Sequence, residues 1–412
     1  MGNCYPVGLT IEESIEKILE VTGQMGTETV FPLEAHGRIV AEDISAPENM
    51  PPFAKSAYDG YAFRAEDIAE AGKDSPVTLQ VLEEVPAGHF PTKKVGPGQA
   101  SRVMTGAPLP EGADTIEKFE VTEVGDGTVT FFAPVKCSSN VIPIGDNLKK
   151  GEIVLRKGTR ITASSCGLLA ELGIEKVPVY KKIRVSLIST GDELVEVGEE
   201  LEPGKIRNSS VYTLNAYLES WGIRPSIRGI VRDQAELIAD AVKHEVPKAD
   251  VIITTGGVSV GDYDCLQDAM EMLDAEVIGW KLKMKPGMAF LASRYKGTLI
   301  LSLSGNPTAA LMQLLMVGRP VLGKLAGEEM VMGRPFDVRL KNAFPKKSKV
   351  RRFVPGKLEI IDGVAYIDVP ERQGNGMLKP LEGCDILGEI PSGSPALEAG
   401  TEICAYRLYM LF

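Results

Sequence analysis

Histidine is nearly missing from this chain. Only His36, His89 and His244 occur in 412 residues, far apart in sequence. That scarcity argues against a histidine triad or a multi-histidine metal centre and leaves the chemistry to carboxylates and lysines. Cysteine is sparse too: Cys4, Cys137, Cys166, Cys265, Cys384 and Cys404 show no Cys-x-x-Cys pair and no Cys/His spacing. A zinc site and a disulfide framework are therefore disfavoured, and a reducing, cytoplasmic setting is expected. Basic charge runs short, with 45 Lys and Arg against 56 Asp and Glu, a net charge of −11. Duplex nucleic acid, whose binding rests on neutralising phosphates, is a poor match. No apolar run reaches the roughly 20 residues that a membrane helix needs, and the first residues lack a basic stretch followed by an apolar one. There is no low-complexity tract and no convincing internal repeat.

What is present is a chain too long for one core, with an ordinary 44% of hydrophobic residues, so two to four domains are expected. Thr10 and Glu13 form a capping box ahead of a stripe of Ile11, Ile15, Ile18, Leu19 and Val21, which predicts an N-terminal helix. The passage SAPENMPPFAKSAYDGYAF then leads to a β-rich block at about 76–135, with strands read in VTLQVLEEV, TIEKFEVTEV and TVTFFA. A helix at about 163–172 leads back toward the first segment. From Lys182 to about Gly327, strands and helices alternate as in a doubly wound α/β domain. The last segment alternates β-prone stretches with turns and reads as a small barrel or sandwich. The expected divisions are 1–47 with 148–181 (helical and extended linker), 48–147 (β-rich), 182–327 (α/β) and 334–412 (β).

Within the α/β stretch the chemistry gathers at strand ends. The run VIITTGGVSVGDYDC (251–265) is a buried strand that breaks into glycines and re-enters as a helix. Such a turn presents backbone N–H groups to an anion. Asp262 and Asp264 inside it point to a bridging cation or to proton handling; the plain alternative is a tight connection with Asp264 as helix cap. Other strands end in Ser189-Thr190-Gly191-Asp192-Glu193, in Arg232-Asp233 and in Ser304-Gly305-Asn306-Pro307. A fourth carries Lys281, Lys283 and Lys285, which would share one face of a strand beside Pro286-Gly287. In a parallel sheet all of these meet at one rim, although any one acid there is more often a cap or a solvated turn. Two further turns, around Asp59 and around Arg102–Pro108, stand out by composition alone.

Seven ordered motifs, SAYDGYAFR, RVMTGAPLPEGAD, STGDEL, GIVRD, TTGGVSVGDYD, KMKPG and SGNP, make the chain resemble molybdenum insertases of the MoeA type, to which the gephyrin E domain is related. The resemblance implies a molybdopterin-binding α/β domain, four subdomains and a homodimer. It implies insertion of molybdate into the dithiolene of adenylylated molybdopterin, with release of AMP assisted by Mg²⁺. Catalytic roles would fall on Asp59, Glu193, Asp233, Asp264, Lys281 and Lys285, with Asp264, Glu193 and Asp233 toward the metal. Pterin-nucleotide contacts would fall on Thr190, Gly191, Gly256, Gly257, Ser259, Gly261, Gly305, Asn306 and Pro307. A molybdopterin adenylyltransferase and recipient molybdoenzymes are the protein partners it implies. The chain departs from the pattern at Met288 and Ala309, where a lysine and a serine are usual and where molybdate contacts are expected. A paralogue that carries the cofactor or its precursor without inserting metal, or that handles tungstate, is the alternative.

Overall fold

The backbone of the α/β region follows from strict alternation. Val251 and Ile253 turn to one side of their strand and Ile252 to the other, and likewise Leu299, Leu301 and Leu303 against Ile300. Residues apolar on both faces need helices on both faces, and a doubly wound sheet supplies them. In the computed structural model, which describes residues 5–258, 265–329 and 335–408, seven strands form this sheet. Their order is Val7–Leu9, Glu276–Leu282, Leu291–Tyr295, Thr298–Leu303, Val251–Thr255, Val185–Thr190 and Ser226–Val231.

The sheet is mixed rather than parallel throughout. Leu291–Tyr295 runs antiparallel to both neighbours, joined to the next strand by a tight turn with positive φ at Lys296 and Gly297. Two reversals cancel, so Glu276–Leu282 still points the same way as Thr298–Leu303, and its end reaches the same rim. One face carries the helices Ser210–Ser220 and Pro307–Gln313, the other Ala235–Glu245 and Cys265–Met272. The apolar stretch after Asn306 is helical over Pro307–Gln313, widens into a π-helical turn, Leu314–Gly318, and continues as Arg319–Leu325. Pro320 supplies the reason: it has no N–H for the carbonyl four residues back, and the wider turn absorbs the mismatch.

The N-terminal helix forms over Ile11–Val21 with the expected box: the Glu13 amide donates to Thr10 Oγ1 at 3.1 Å and the Thr10 amide to Glu13 at 2.8 Å. Its stripe of Ile11, Ile15, Ile18, Leu19 and Val21 packs into the α/β core, and the strand before it adds to the sheet edge. C-terminal to the sheet, Phe336–Leu340, Arg351–Ile361, Val364–Asp368, Ile386–Ile390 and Glu402–Arg407 close into a five-stranded barrel. Val338, Leu340, Val354, Ile367 and Ile403 fill it.

These elements belong to one compact unit made of Met1–Glu42, Lys157–Cys166 and Glu175–Phe412; the other comprises Asp43–Arg156 and Gly167–Ile174. The second unit holds a six-stranded sheet in the order Thr115–Lys118, Gly60–Phe63, Gln99–Val103, Val77–Val85, Thr128–Phe131, Glu123–Val124. Two of its inner strands, Gly60–Phe63 and Gln99–Val103, lie in segments whose composition reads as loop and turn. Tyr61 and Phe63 are almost wholly buried with Leu79 and Phe131. Gly60 is obligatory there, since a Cβ would sit 2.1 Å from the Glu117 carbonyl oxygen.

Candidate functional site

Three parallel strands leave the α/β sheet side by side, and their glycines let the exits touch. A Cβ on Gly256 would lie 2.1 Å from the Thr190 carbonyl oxygen and one on Gly257 3.2 Å from Thr190 Oγ1. A Cβ on Gly305 would lie 3.3 Å from the Gly256 Cα. Thr190, Gly191, Gly256, Gly257 and Gly305 thus form one continuous backbone floor at the rim. Side chains brace it from behind. Ser189 and Asn208 are hydrogen bonded to each other at 3.0 Å, and Ser210 Oγ donates to the Gly305 carbonyl at 3.4 Å.

The acids stand over this floor. Glu193 folds its carboxylate against Gly191, where a Cβ would meet Oε2 at 2.6 Å. Asp233 follows its strand, and its amide donates to Asp192 Oδ1 at 3.4 Å. Asp233 Oδ1 and Thr190 Oγ1 are buried side-chain atoms that no hydrogen bond of standard geometry satisfies, although the Thr190 hydroxyl is near enough to draw the Asp233 carboxyl downward. Burial, reinforced by the charge of Asp192, pushes the Asp233 carboxyl above the usual carboxylate range. The Thr190 hydroxyl is one group within reach of that oxygen, and a cation or a proton is the other way to satisfy it. Among the described residues no three His, Cys, Asp or Glu side chains gather into a metal-binding group. Asp262, Asp264, Ser259 and Gly261 lie outside the described residues.

Lys281, Lys283 and Lys285 do not share one face of a strand. The strand stops at Leu282, and Lys281 takes a left-handed conformation (φ 63°) that breaks the alternation. Its ammonium lies 3.8 Å from the centroid of the Trp280 ring. Lys285 belongs to a separate two-residue strand that pairs with Arg351-Arg352 of the barrel. Lys285, Pro286, Thr308, Lys346, Arg352 and Asn375 line a small pocket. Three cationic groups there favour an anion, a signal sequence reading missed because Lys346, in a loop, and Arg352, in a barrel strand, lie far along the chain from the lysine motif. Asn306 opens the next helix with Pro307 at its first position. Thr308 holds that end to the barrel loop, its amide donating to the Asn375 carbonyl at 3.1 Å and its hydroxyl to the Met377 carbonyl at 2.8 Å.

In the other unit, the two unusual turns meet. Asp59 Oδ1 accepts the amide and the hydroxyl of Thr105, both at 2.7 Å. Those bonds, led by the backbone one, hold the Asp59 carboxyl below the usual carboxylate range. Asp59 is thereby fixed in place and ionised.

Three family descriptions match in order along the chain: the MoeA N-terminal region (domains I and II) at 9–173, the probable molybdopterin-binding domain at 186–324 and the MoeA C-terminal region (domain IV) at 337–408. The molybdopterin molybdenumtransferase of Bacillus subtilis is 34% identical over 96% of this chain and 93% of its own length. That of Staphylococcus epidermidis is 32% identical over 95% and 94%. The molybdopterin biosynthesis MoeA protein of Pyrococcus horikoshii superposes with a TM-score of 0.83 at 30% identity, covering 97% of this chain and all of the other. Sequence, domain order and backbone agree, and the chain belongs to the molybdopterin molybdenumtransferase (MoeA) family.

Proposed function

We propose that this chain acts in molybdenum cofactor biosynthesis by inserting molybdate into the dithiolene of adenylylated molybdopterin, with release of AMP. The observation that carries the reading is the rim itself: a glycine floor pressed against Thr190, a half-buried carboxylate at Asp233 with one oxygen turned away from solvent and a cationic pocket around Lys285. The floor leaves backbone room for a phosphate-bearing ligand. Lys285, with Lys346 and Arg352 beside it, answers the negative charge that grows on phosphate or oxyanion as the pyrophosphate bond breaks. Lys281 is assigned to the same task from the other side of the loop.

The buried oxygen of Asp233 can take a divalent cation, and Asp233, Glu193 and Asp264 are the residues that would hold Mg²⁺. Bound there, the ion would supply positive charge toward the pyrophosphate. Asp233 would bind it as the carboxylate, and Glu193 is already placed over Gly191. Asp59, ionised by Thr105, is assigned to the same reaction from a second chain in a homodimer.

Met288 gives the carrier reading its one specific support: an apolar, exposed side chain stands where the resemblance expects a lysine. The two readings separate on incubation with adenylylated molybdopterin and Mg²⁺, with and without molybdate. Insertion predicts AMP release that molybdate accelerates. Tight binding of the nucleotide without AMP release would favour the carrier.

A further inference from the structure

We propose that Gln313 is a positioning residue that sets the lysine loop against the Ser304-Gly305-Asn306 turn, an inference that rests on assigning both to the reaction. Gln313 has no exposed surface, although a glutamine is costly to bury unpaired. It spends its amide on two loops at once. Oε1 accepts the Ser304 amide at 2.8 Å, while Nε2 donates to the carbonyls of Gly287 at 2.9 Å and Ala289 at 2.6 Å. The contact is close as well as polar, because a Cβ on Gly287 would meet Gln313 Cγ at 2.9 Å. No other described side chain hydrogen bonds to both of these segments.

The consequence is directional. The carbonyls of Gly287 and Ala289 are drawn inward, which leaves Met288 between them exposed and ties down the loop that begins at Lys285. The Ser304 amide fixes the exit of the strand whose Gly305 lies on Gly256. Gln313 therefore holds the cationic loop in register with the glycine floor without itself reaching the surface. A glutamine suits this task because one group supplies an acceptor and two donors.

Three variants test it. Gln313→Leu keeps similar bulk and loses all three bonds. It should lower kcat for AMP release between about ten- and a hundredfold while leaving KM within about twofold, as expected when a charged loop is misplaced by a fraction of an ångström. Amide exchange at Ser304 and in the segment 283–290 should quicken in the same variant. Gln313→Glu keeps the acceptor but, when ionised, sets a negative charge against two carbonyl oxygens; protonated, it returns one donor. Its kcat relative to the parent should therefore rise as pH falls, a profile that Gln313→Leu should lack. Gln313→Asn, too short to reach both loops, should resemble Gln313→Leu. Parental kcat together with parental exchange in Gln313→Leu would overturn the proposal. Should that variant not fold, a flat pH ratio for Gln313→Glu overturns it instead. A parent that releases no AMP would sink the functional reading, and the exchange arm would then judge Gln313 alone, unchanged rates counting against it.

Discussion

Ala309 packs beside the loop that carries Met288, since a Cβ on Gly287 would lie 3.4 Å from the Ala309 carbonyl oxygen, yet the two differ in exposure: Met288 is 52% exposed and Ala309 2%. The departure from the family pattern is therefore two different changes. A lysine at 288 would present its charge to solvent and ligand, whereas a hydroxyl at 309 would enter the interior. Met288→Lys should tighten molybdate binding up to about fivefold at low salt, the scale of one exposed charge pair, and Ala309→Ser alone should add nothing. Calorimetric titration of both variants checks this; no gain from Met288→Lys would place the oxyanion elsewhere. Asp233 makes a second prediction. With its carboxyl raised by burial, a proton competes for the oxygen at pH values where an ordinary carboxylate is already free. Mg²⁺ affinity should fall as pH is lowered through that raised value, and Asp233→Asn should remove the dependence. Titration calorimetry across pH gives the answer, and a pH-independent affinity in the parent would take Asp233 out of the cation site.

Among the elements, those specified locally were legible and those specified by distant partners were not. The Thr10–Glu13 box and its stripe lie within one helical turn or repeat, so the sequence states them outright. The strand ends before Gly191, Asp233, Gly256 and Gly305 were also readable, because each apolar run gives way within two residues to glycine or an acid, whereas the lysine strand, which stops at Leu282, carries no such mark. Gly60–Phe63 was hidden, since its burial depends on pairing with strands 37 and more residues away, and its flanks are rich in turn formers. Leu291–Tyr295 was missed although Lys296-Gly297 is a hairpin signal, because the surrounding alternation favoured a parallel reading. Met284–Lys285 could not be foreseen at all: a two-residue strand exists only because the barrel offers an edge. The clamp on Glu328 is another long-range feature. Its carboxylate, 4% exposed, accepts Arg160 Nε and Nη2 at 3.0 and 2.8 Å and Arg319 Nη1 at 3.0 Å, joining the return segment to the last helix of the α/β region. Burial opposes ionisation, but the two guanidiniums outweigh it and keep the carboxyl below its usual value. Its folded value being depressed, the stabilisation is present above the ordinary carboxylate range and is lost as pH falls through the depressed one. Glu328→Gln should cost about 3–5 kcal/mol at neutral pH and flatten the acid limb, as measured by urea unfolding between pH 3 and 7. A loss below 1 kcal/mol would mean that the arginines find other partners.

At the scale of the whole molecule, Asp59 and the α/β rim belong to different compact units, and the proposed reaction joins them across a two-fold dimer. Asp59→Asn and Asp264→Asn should each be inactive alone. In a mixed dimer one site carries both changes and the other neither, so random reassortment should restore about a quarter of parental activity. A dead mixture in which native mass spectrometry finds mixed dimers would put Asp59 in the site of its own chain. Coupling of nucleotide cleavage to metal insertion at the rim is tested in one reaction. AMP released and molybdenum bound to the dithiolene are counted together for the parent and for Lys285→Ala. The two products should appear in equal amounts in the parent and fall together in the variant. AMP formed without bound molybdenum, or a variant as fast as its parent, would contradict that coupling.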